Sequence, residues 1–254
     1  MPGASGRTSN PAQRTGRRGW WRRLSRIAAG AAAALLLLTV AQVALLRQVN
    51  PWTSAFMLEA RVGSWFDHDP RPFHLRRQWR DYSHISRELA LAVVASEDQR
   101  FPVHHGFDFT QIQKAMDDAD RGHRARGAST ITQQVAKNLF LWGGHSWVRK
   151  GLEAWYTVLI EALWPKQRIL EMYLNIAEFG RGIYGAEAAA QAFFHEPAAR
   201  LTRPEAARLA AVLPNPLQLR ADAPGRYVQK RQQEIEYQMA ALGGTWYLRS
   251  LERR

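Results

Sequence analysis

Glu97 and Asp98 stand side by side, with Phe101, His104 and Gly106 following within the next eight positions. A carboxylate pair beside an imidazole is equipment for proton transfer, one group taking a proton from a hydroxyl and the others bracing it. Further on, Gly127-Ala128-Ser129-Thr130 opens a polar stretch that carries Gln133, Gln134, Lys137 and Asn138. Small residues ahead of a helix supply free backbone N–H groups, a hydroxyl cap and the positive end of a dipole. That arrangement suits an anion such as a pyrophosphate, or a sugar. The stretch lacks the Gly-Lys-Ser/Thr ending of a nucleotide P-loop, which argues against ATP or GTP. A third group, Arg149-Lys150-Gly151-Leu152-Glu153, places two cations and a carboxylate within five positions. As a surface pair on one helix face, Lys150 and Glu153 would contribute only about 0.3–0.5 kcal/mol. Beside an anion cradle the cluster reads instead as charge that stabilises a leaving group.

Other candidate sites are weaker. His104-His105 and His195-Glu196 do not have the HExxH spacing of a zinc site. The chain has no cysteine, which excludes disulfides and thiolate ligands.

Helices must hold these residues. Ile85, Leu89 and Val93 recur at four-residue steps, and the next step is Glu97. Each step drifts about 40° around a helix, so Glu97 emerges near the end of the buried face. Partial burial there raises a carboxyl pKa and suits it to proton transfer. Leu152, Tyr156, Leu159 and Leu163 mark another amphipathic helix, stopped by Pro165, and Ile169, Leu170, Tyr173 and Leu174 mark the next. Thr202 and Glu205 form a capping box, and Pro214 closes the helix it opens. Gly180, Gly182 and Gly185 punctuate a turn before the Ala-rich stretch 186–192. No alternating strand runs and no repeats occur, so the expected class is mainly α with at most a short hairpin.

Residues 27–46 carry no charge. At 1.5 Å per residue such a run spans roughly 30 Å, the thickness of a bilayer core. The run is longer than a signal-peptide core and no A-x-A-like site closes it, which favours a retained transmembrane helix. The preceding residues 1–26 hold seven arginines and no acid, so the positive-inside rule puts the N-terminus in the cytoplasm. Residues 1–19 read as a disordered tail, and 47–79, rich in proline and aromatics, as a membrane-proximal lead-in. Of the net charge of +13, the tail supplies +7 and the remaining chain +6. For a domain outside the cytoplasm that surplus points to anionic lipid and a phosphorylated lipid substrate rather than nucleic acid.

Residues 97–106 resemble the first signature of the peptidoglycan glycosyltransferases, 127–134 the second and 149–153 the third. Residues 166–175 are similar to the fourth and 208–216 to the fifth. The order and the single anchor resemble the monofunctional biosynthetic transglycosylases rather than the two-domain class A penicillin-binding proteins, and no Ser-x-x-Lys occurs. The resemblance implies a lysozyme-like fold of a large lobe and a mobile jaw, with the glycosyltransferase domain over 80–254. It implies inverting polymerisation of lipid II onto a growing glycan strand, with release of undecaprenyl diphosphate. It also implies an inner-membrane protein with a periplasmic catalytic domain, working near a transpeptidase or a division or elongation complex.

On that basis Glu97 is the expected general base. Lys137, Arg149 and Lys150 neutralise the diphosphate, Ser129 and Gln134 position it, and Asp98, Phe101, His104 and Gly106 brace the motif. Glu153 is expected at the catalytic centre in one of two roles, orienting the cations or holding a divalent ion such as Mg or Mn. Two rival readings remain open. A glycan-cleaving enzyme needs an acid but no cation cluster, and a non-catalytic scaffold does not need Glu97.

Overall fold

The computed structural model describes residues 12–66, 72–121, 129–144 and 146–252. The chain divides into two compact units, one ending at Gln42 and one beginning at Val43.

The first unit is drawn from helix α1, Ala12–Leu46. Its segment Trp20–Leu46 is long and apolar enough to cross a bilayer. Leu35, Leu36, Leu37 and Leu38 all face outward. An exposed all-apolar helix has no aqueous rationale but suits lipid. The helix begins at Ala12, inside the stretch expected to be disordered. Once the apolar run is helical, each further residue adds a hydrogen bond without a new nucleation cost, and arginine is a good helix former. Residues 1–11 of that expected tail lie outside the described residues.

The second unit is mainly helical, as expected. After α2 (Ala55–Gly63) come α3 (Arg87–Glu97), α4 (Phe109–Asp120), α5 (Ile131–Phe140), α6 (Trp147–Leu163) and α7 (Lys166–Ile176). They are followed by α8 (Ala186–Phe194), α9 (Arg203–Val212), α10 (Arg226–Ala241) and the short α11 (Arg249–Glu252). Strand β1 (Arg76–Arg77) pairs in parallel with β3 (Ile183–Tyr184), which forms the expected hairpin with β2 (Glu178–Gly180). The hairpin turn needs Gly182 at φ 73°, where a Cβ would lie 2.6 Å from the His74 carbonyl. The third strand, β1, has too few residues to show an alternating pattern.

Helix α3 is the centre of the core. Every residue from Leu89 to Ala95 is buried, so the four-residue stripe is part of a helix covered on all sides. It packs against α9 and α10. Ala90, Ala92 and Ala95 on α3, and Ala206, Ala207 and Ala210 on α9, are small enough for the two backbones to approach closely. Glu97 gains access to solvent because the helix stops there. At the other end, Ser86 caps α3 and donates to the Leu201 carbonyl at 2.7 Å. The capping box expected at Thr202 and Glu205 is present.

The start of the second unit is tied down at three points. Val43 is fully buried, and its carbonyl accepts from Trp164 Nε1 at 2.7 Å. Arg168 donates to the carbonyls of Leu46 and Val49 at 3.0 and 3.1 Å. Asn175 clamps Arg80, accepting from its N–H and donating to its carbonyl, both at 2.8 Å.

Candidate active site

Glu97 ends α3 half-buried. Its Oε2 accepts from Gln134 Nε2 at 2.7 Å, and the Gln134 carbonyl oxygen accepts from the Tyr173 hydroxyl at 3.1 Å. Burial pushes the Glu97 carboxyl above its ordinary value, and neighbouring Asp98 adds to this. The Gln134 hydrogen bond, Arg231 and Lys137 pull the other way. Tyr173 is fully buried, which holds its phenol well above the usual range, so it remains an O–H donor. Gln134, expected to position a diphosphate, is therefore committed to the carboxylate.

Asp98 is buried and makes a different set of bonds. Its Oδ2 accepts the Ile131 backbone N–H at 3.0 Å, and its oxygens lie 2.8 and 2.9 Å from His104 Nε2. His104 Nδ1 accepts from the Gly106 N–H at 3.2 Å, so the ring proton on Nε2 is the one given to Asp98. The loop closes through Thr130, whose hydroxyl donates to the Gly106 carbonyl at 2.7 Å. Gly106 sits at φ 85°, and a Cβ there would lie 2.7 Å from Thr157 Cγ2. Phe101 is fully buried beneath the loop with the Lys166 ammonium 4.5 Å from its ring centre.

The start of α5 departs from expectation. Its cap is Thr130, in a capping box with Gln133, while Ser129 is exposed one position earlier. Gly127 and Ala128 lie outside the described residues. The N–H of Ile131 goes to Asp98, and those of Thr130 and Gln133 to the capping box. The helix N-terminus already holds an anion, the Asp98 carboxylate.

Positive charge gathers on α5 and α6. Arg149 and Glu153 are buried and paired at 2.9 Å, while half-exposed Lys150 bonds the other Glu153 oxygen. Arg149 Nε is buried without a hydrogen-bond partner. Lys137 is lowered by burial and by the nearby charges of Arg149 and Lys150, against the attraction of Glu153 and Glu97. Lys137 thus senses both the carboxylate at the end of α3 and the α6 cluster. Counting Glu97, which also attracts Lys137, three cations stand against two carboxylates, an excess of one positive charge.

The inward face of α6 holds Tyr156, Leu159 and Leu163 as expected, together with an ion pair that the apolar spacing does not show. Arg149, Glu153, Tyr156, Thr157 and Ile160 are buried, whereas Leu152 stays 37% exposed. The buried ion pair takes the inner face, which turns Trp147, Val148 and Val158 outward. Of the two roles open to Glu153, its surroundings fit the orienting one. Both oxygens are held by cations, and among the described residues no group of three His, Asp or Glu side chains could hold a metal ion.

A cavity of about 1200 Å³ opens beside Glu97, bounded by the end of α3, by α4, by the start of α5 and by α10. Ser129, Gln134, Gln99, Gln111, Tyr227 and Arg231 are among its walls, a lining of amides, hydroxyls and charge suited to a polar ligand. Sequence reasoning assigned no role to Tyr173 or Arg231. Tyr173 reads as one more apolar position of α7, and Arg231 is one basic residue on a charge-rich helix.

Residues 68–240 match the family model described as Transglycosylase. The chain is 58% identical over 215 residues to a protein named biosynthetic peptidoglycan transglycosylase in Xanthomonas euvesicatoria, covering 85% of this chain and 86% of the relative. Relatives of the same name in Chromohalobacter salexigens and Pseudomonas aeruginosa are 53% and 54% identical. The first match covers 92% of this chain and 99% of the relative, the second 85% and 92%.

Proposed function

The chain belongs to the transglycosylase family, and we propose on that premise that it is a peptidoglycan glycosyltransferase that polymerises lipid II into glycan strands. Glu97 takes the proton of the GlcNAc 4-hydroxyl on incoming lipid II, and the freed oxygen attacks the anomeric carbon of the strand's terminal sugar. The bond from that carbon to the diphosphate oxygen breaks, and undecaprenyl diphosphate leaves with the electron pair. Attack from the opposite face inverts the centre without a covalent intermediate. Gln134 aims the base, and Lys137, Arg149 and Lys150 take up the negative charge of the departing diphosphate. Glu153 holds Arg149 and Lys150 in place. Ser129, exposed on the cavity wall, contacts the sugar or its diphosphate.

One observation carries this reading: three cations gathered around Glu153, one of them also drawn to a half-buried carboxylate that has a neutral hydrogen-bond partner. A hydrolase that protonates a glycosidic oxygen has no use for such a cation cluster. The tail and α1 support a single-pass layout, with residues 1–26 cytoplasmic, 27–46 in the inner membrane, 47–79 as the lead-in and 80–254 as the periplasmic catalytic domain. We place the chain beside a transpeptidase or a division or elongation complex, since it carries no Ser-x-x-Lys nucleophile of its own. Purified full-length protein given labelled lipid II should make polymer and release undecaprenyl diphosphate. Failure to do so, or cleavage of preformed strands instead, overturns the reading.

A further inference from the structure

The five motifs end before residue 217, yet α10 lies beyond them and walls the cavity beside Glu97. From α10, Arg231 Nη2 donates to the Ser96 carbonyl at 3.3 Å, while Nη1 pairs with Glu234 at 3.1 Å. The last four carbonyls of a helix have no partner within it, and they form the negative end of its dipole. In α3 the Val94 carbonyl accepts the Asp98 N–H and the Ala95 carbonyl accepts Gln99 Nε2. Ser96 receives a cation. The Arg231 side chain remains 21% exposed, on the cavity wall.

We propose that Arg231 is a positioning residue for Glu97: it fixes the last turn of α3 and keeps a permanent positive charge beside the carboxylate on the cavity wall. The proposal rests on the general-base reading given above. The groups facing Glu97 are Asp98 next to it, Gln134 and Lys137 from α5, Tyr173 from α7 and Arg231 from α10. Among these, Arg231 supplies the strongest opposing charge to the rise that burial imposes. Lys137 exerts less, and it also feels Glu153 and the α6 cations. Arg231 therefore favours the ionised carboxylate, against the rise that burial imposes.

The test is kcat and KM against pH on lipid II for full-length wild type, R231Q, R231K and E97Q. In R231Q the acid limb of kcat should move to higher pH, with the rate below it reduced about two- to fivefold, the effect of one partly screened charge. KM should hold, and R231K should return the limb toward wild type. A profile that superposes on wild type, an equal loss at every pH, or a rise in KM with an unmoved limb each overturns the role. Carbon-13 NMR titration of the Glu97 carboxyl measures the same shift without turnover, since an unmoved midpoint in R231Q removes the electrostatic part. Activity surviving in E97Q overturns the base reading itself, whereas an inactive E97Q with an unmoved R231Q overturns only Arg231.

Discussion

Gln134 presents its N–H end to Glu97 at 2.7 Å because Tyr173 occupies its carbonyl end at 3.1 Å. An ionised Glu97 only accepts, so it takes the amide N–H, and the Tyr173 hydroxyl locks that orientation by donating to the amide oxygen. A flipped amide would set oxygen against oxygen at the base. Tyr173→Phe fills the same space and releases that lock, leaving a buried carbonyl unpaired at a cost of about 1–3 kcal/mol. The expected result is a modest fall in melting temperature and a several-fold lower kcat, with KM for lipid II unchanged. Unaltered kcat in a folded Y173F protein removes the lock from the mechanism.

Glu97→Gln should cut polymerisation by at least about 10²-fold, the low end for a lost general base, because the amide keeps the shape but not the basicity. Its effect on stability has the opposite sign. The folded-state pKa of Glu97 is raised, so between the unfolded and folded values the native state binds more protons. Stability then falls as pH rises through that window, and at neutral pH the ionised carboxylate is a burden. E97Q should melt at or above the wild-type temperature at pH 7, and the gain should vanish in acid. A lower melting temperature at pH 7 contradicts the sign.

Asp98→Asn makes a contrasting experiment one residue away. Asp98 serves two buried donors, the Ile131 N–H and His104 Nε2, and an amide offers one oxygen where two donors point. Leaving a buried group unpaired costs about 1–3 kcal/mol, more where charge assists the bond. D98N should therefore melt several degrees lower, and its activity should fall with the population of folded loop. Adjacent carboxylates would then respond to the same chemical change with opposite signs in a thermal melt. Equal melting of D98N and wild type would show that the brace is not structural.

The helices were legible because their punctuation is local: Pro165, Pro214 and the Thr202–Glu205 box act within a turn of themselves. The motif residues were legible as a set, and Asp98, His104 and Gly106 are joined by hydrogen bonds. Periodicity failed where a buried ion pair replaced apolar side chains. On α6 the inward face follows Arg149 and Glu153, a pairing that hydrophobic spacing does not register. At the start of α5 a long-range contact was not legible: the Ile131 N–H is met by Asp98, 33 positions earlier. Arg231 and Tyr247, which bond the Ser96 and Gln99 carbonyls, look like surface residues until the chain folds back.

Lys137→Ala and Lys150→Ala should slow turnover about 10²-fold each, the scale of losing one charged or polar contact to a developing anion. Neither should lower the melting temperature much. Lys137 is held partly buried among like charges, and Lys150 is half-exposed. Inorganic pyrophosphate should inhibit the wild type and inhibit both variants more weakly. Wild-type kinetics in both folded variants would move the diphosphate away from this cluster.

Removing the anchor separates tethering from folding, and the position of the cut decides which is measured. Val43 is fully buried and its carbonyl is held by Trp164, while Arg168 holds Leu46 and Val49. A chain beginning at Val43 keeps all three ties, and one beginning at Trp52 loses them. Burying a valine contributes about 1.5–3 kcal/mol, with further loss from hydrogen bonds left open on Trp164 and Arg168. At about 2–4 °C per kcal/mol for a unit of this size, the Trp52 chain should melt clearly lower than the Val43 chain. Both should retain activity on detergent-dispersed lipid II, reduced because the anchor no longer concentrates the enzyme at the membrane holding its substrate. The Val43 chain should retain more. Equal melting of the two would make the 43–49 segment dispensable to the fold, and total inactivity of a folded Val43 chain would make α1 part of the substrate site.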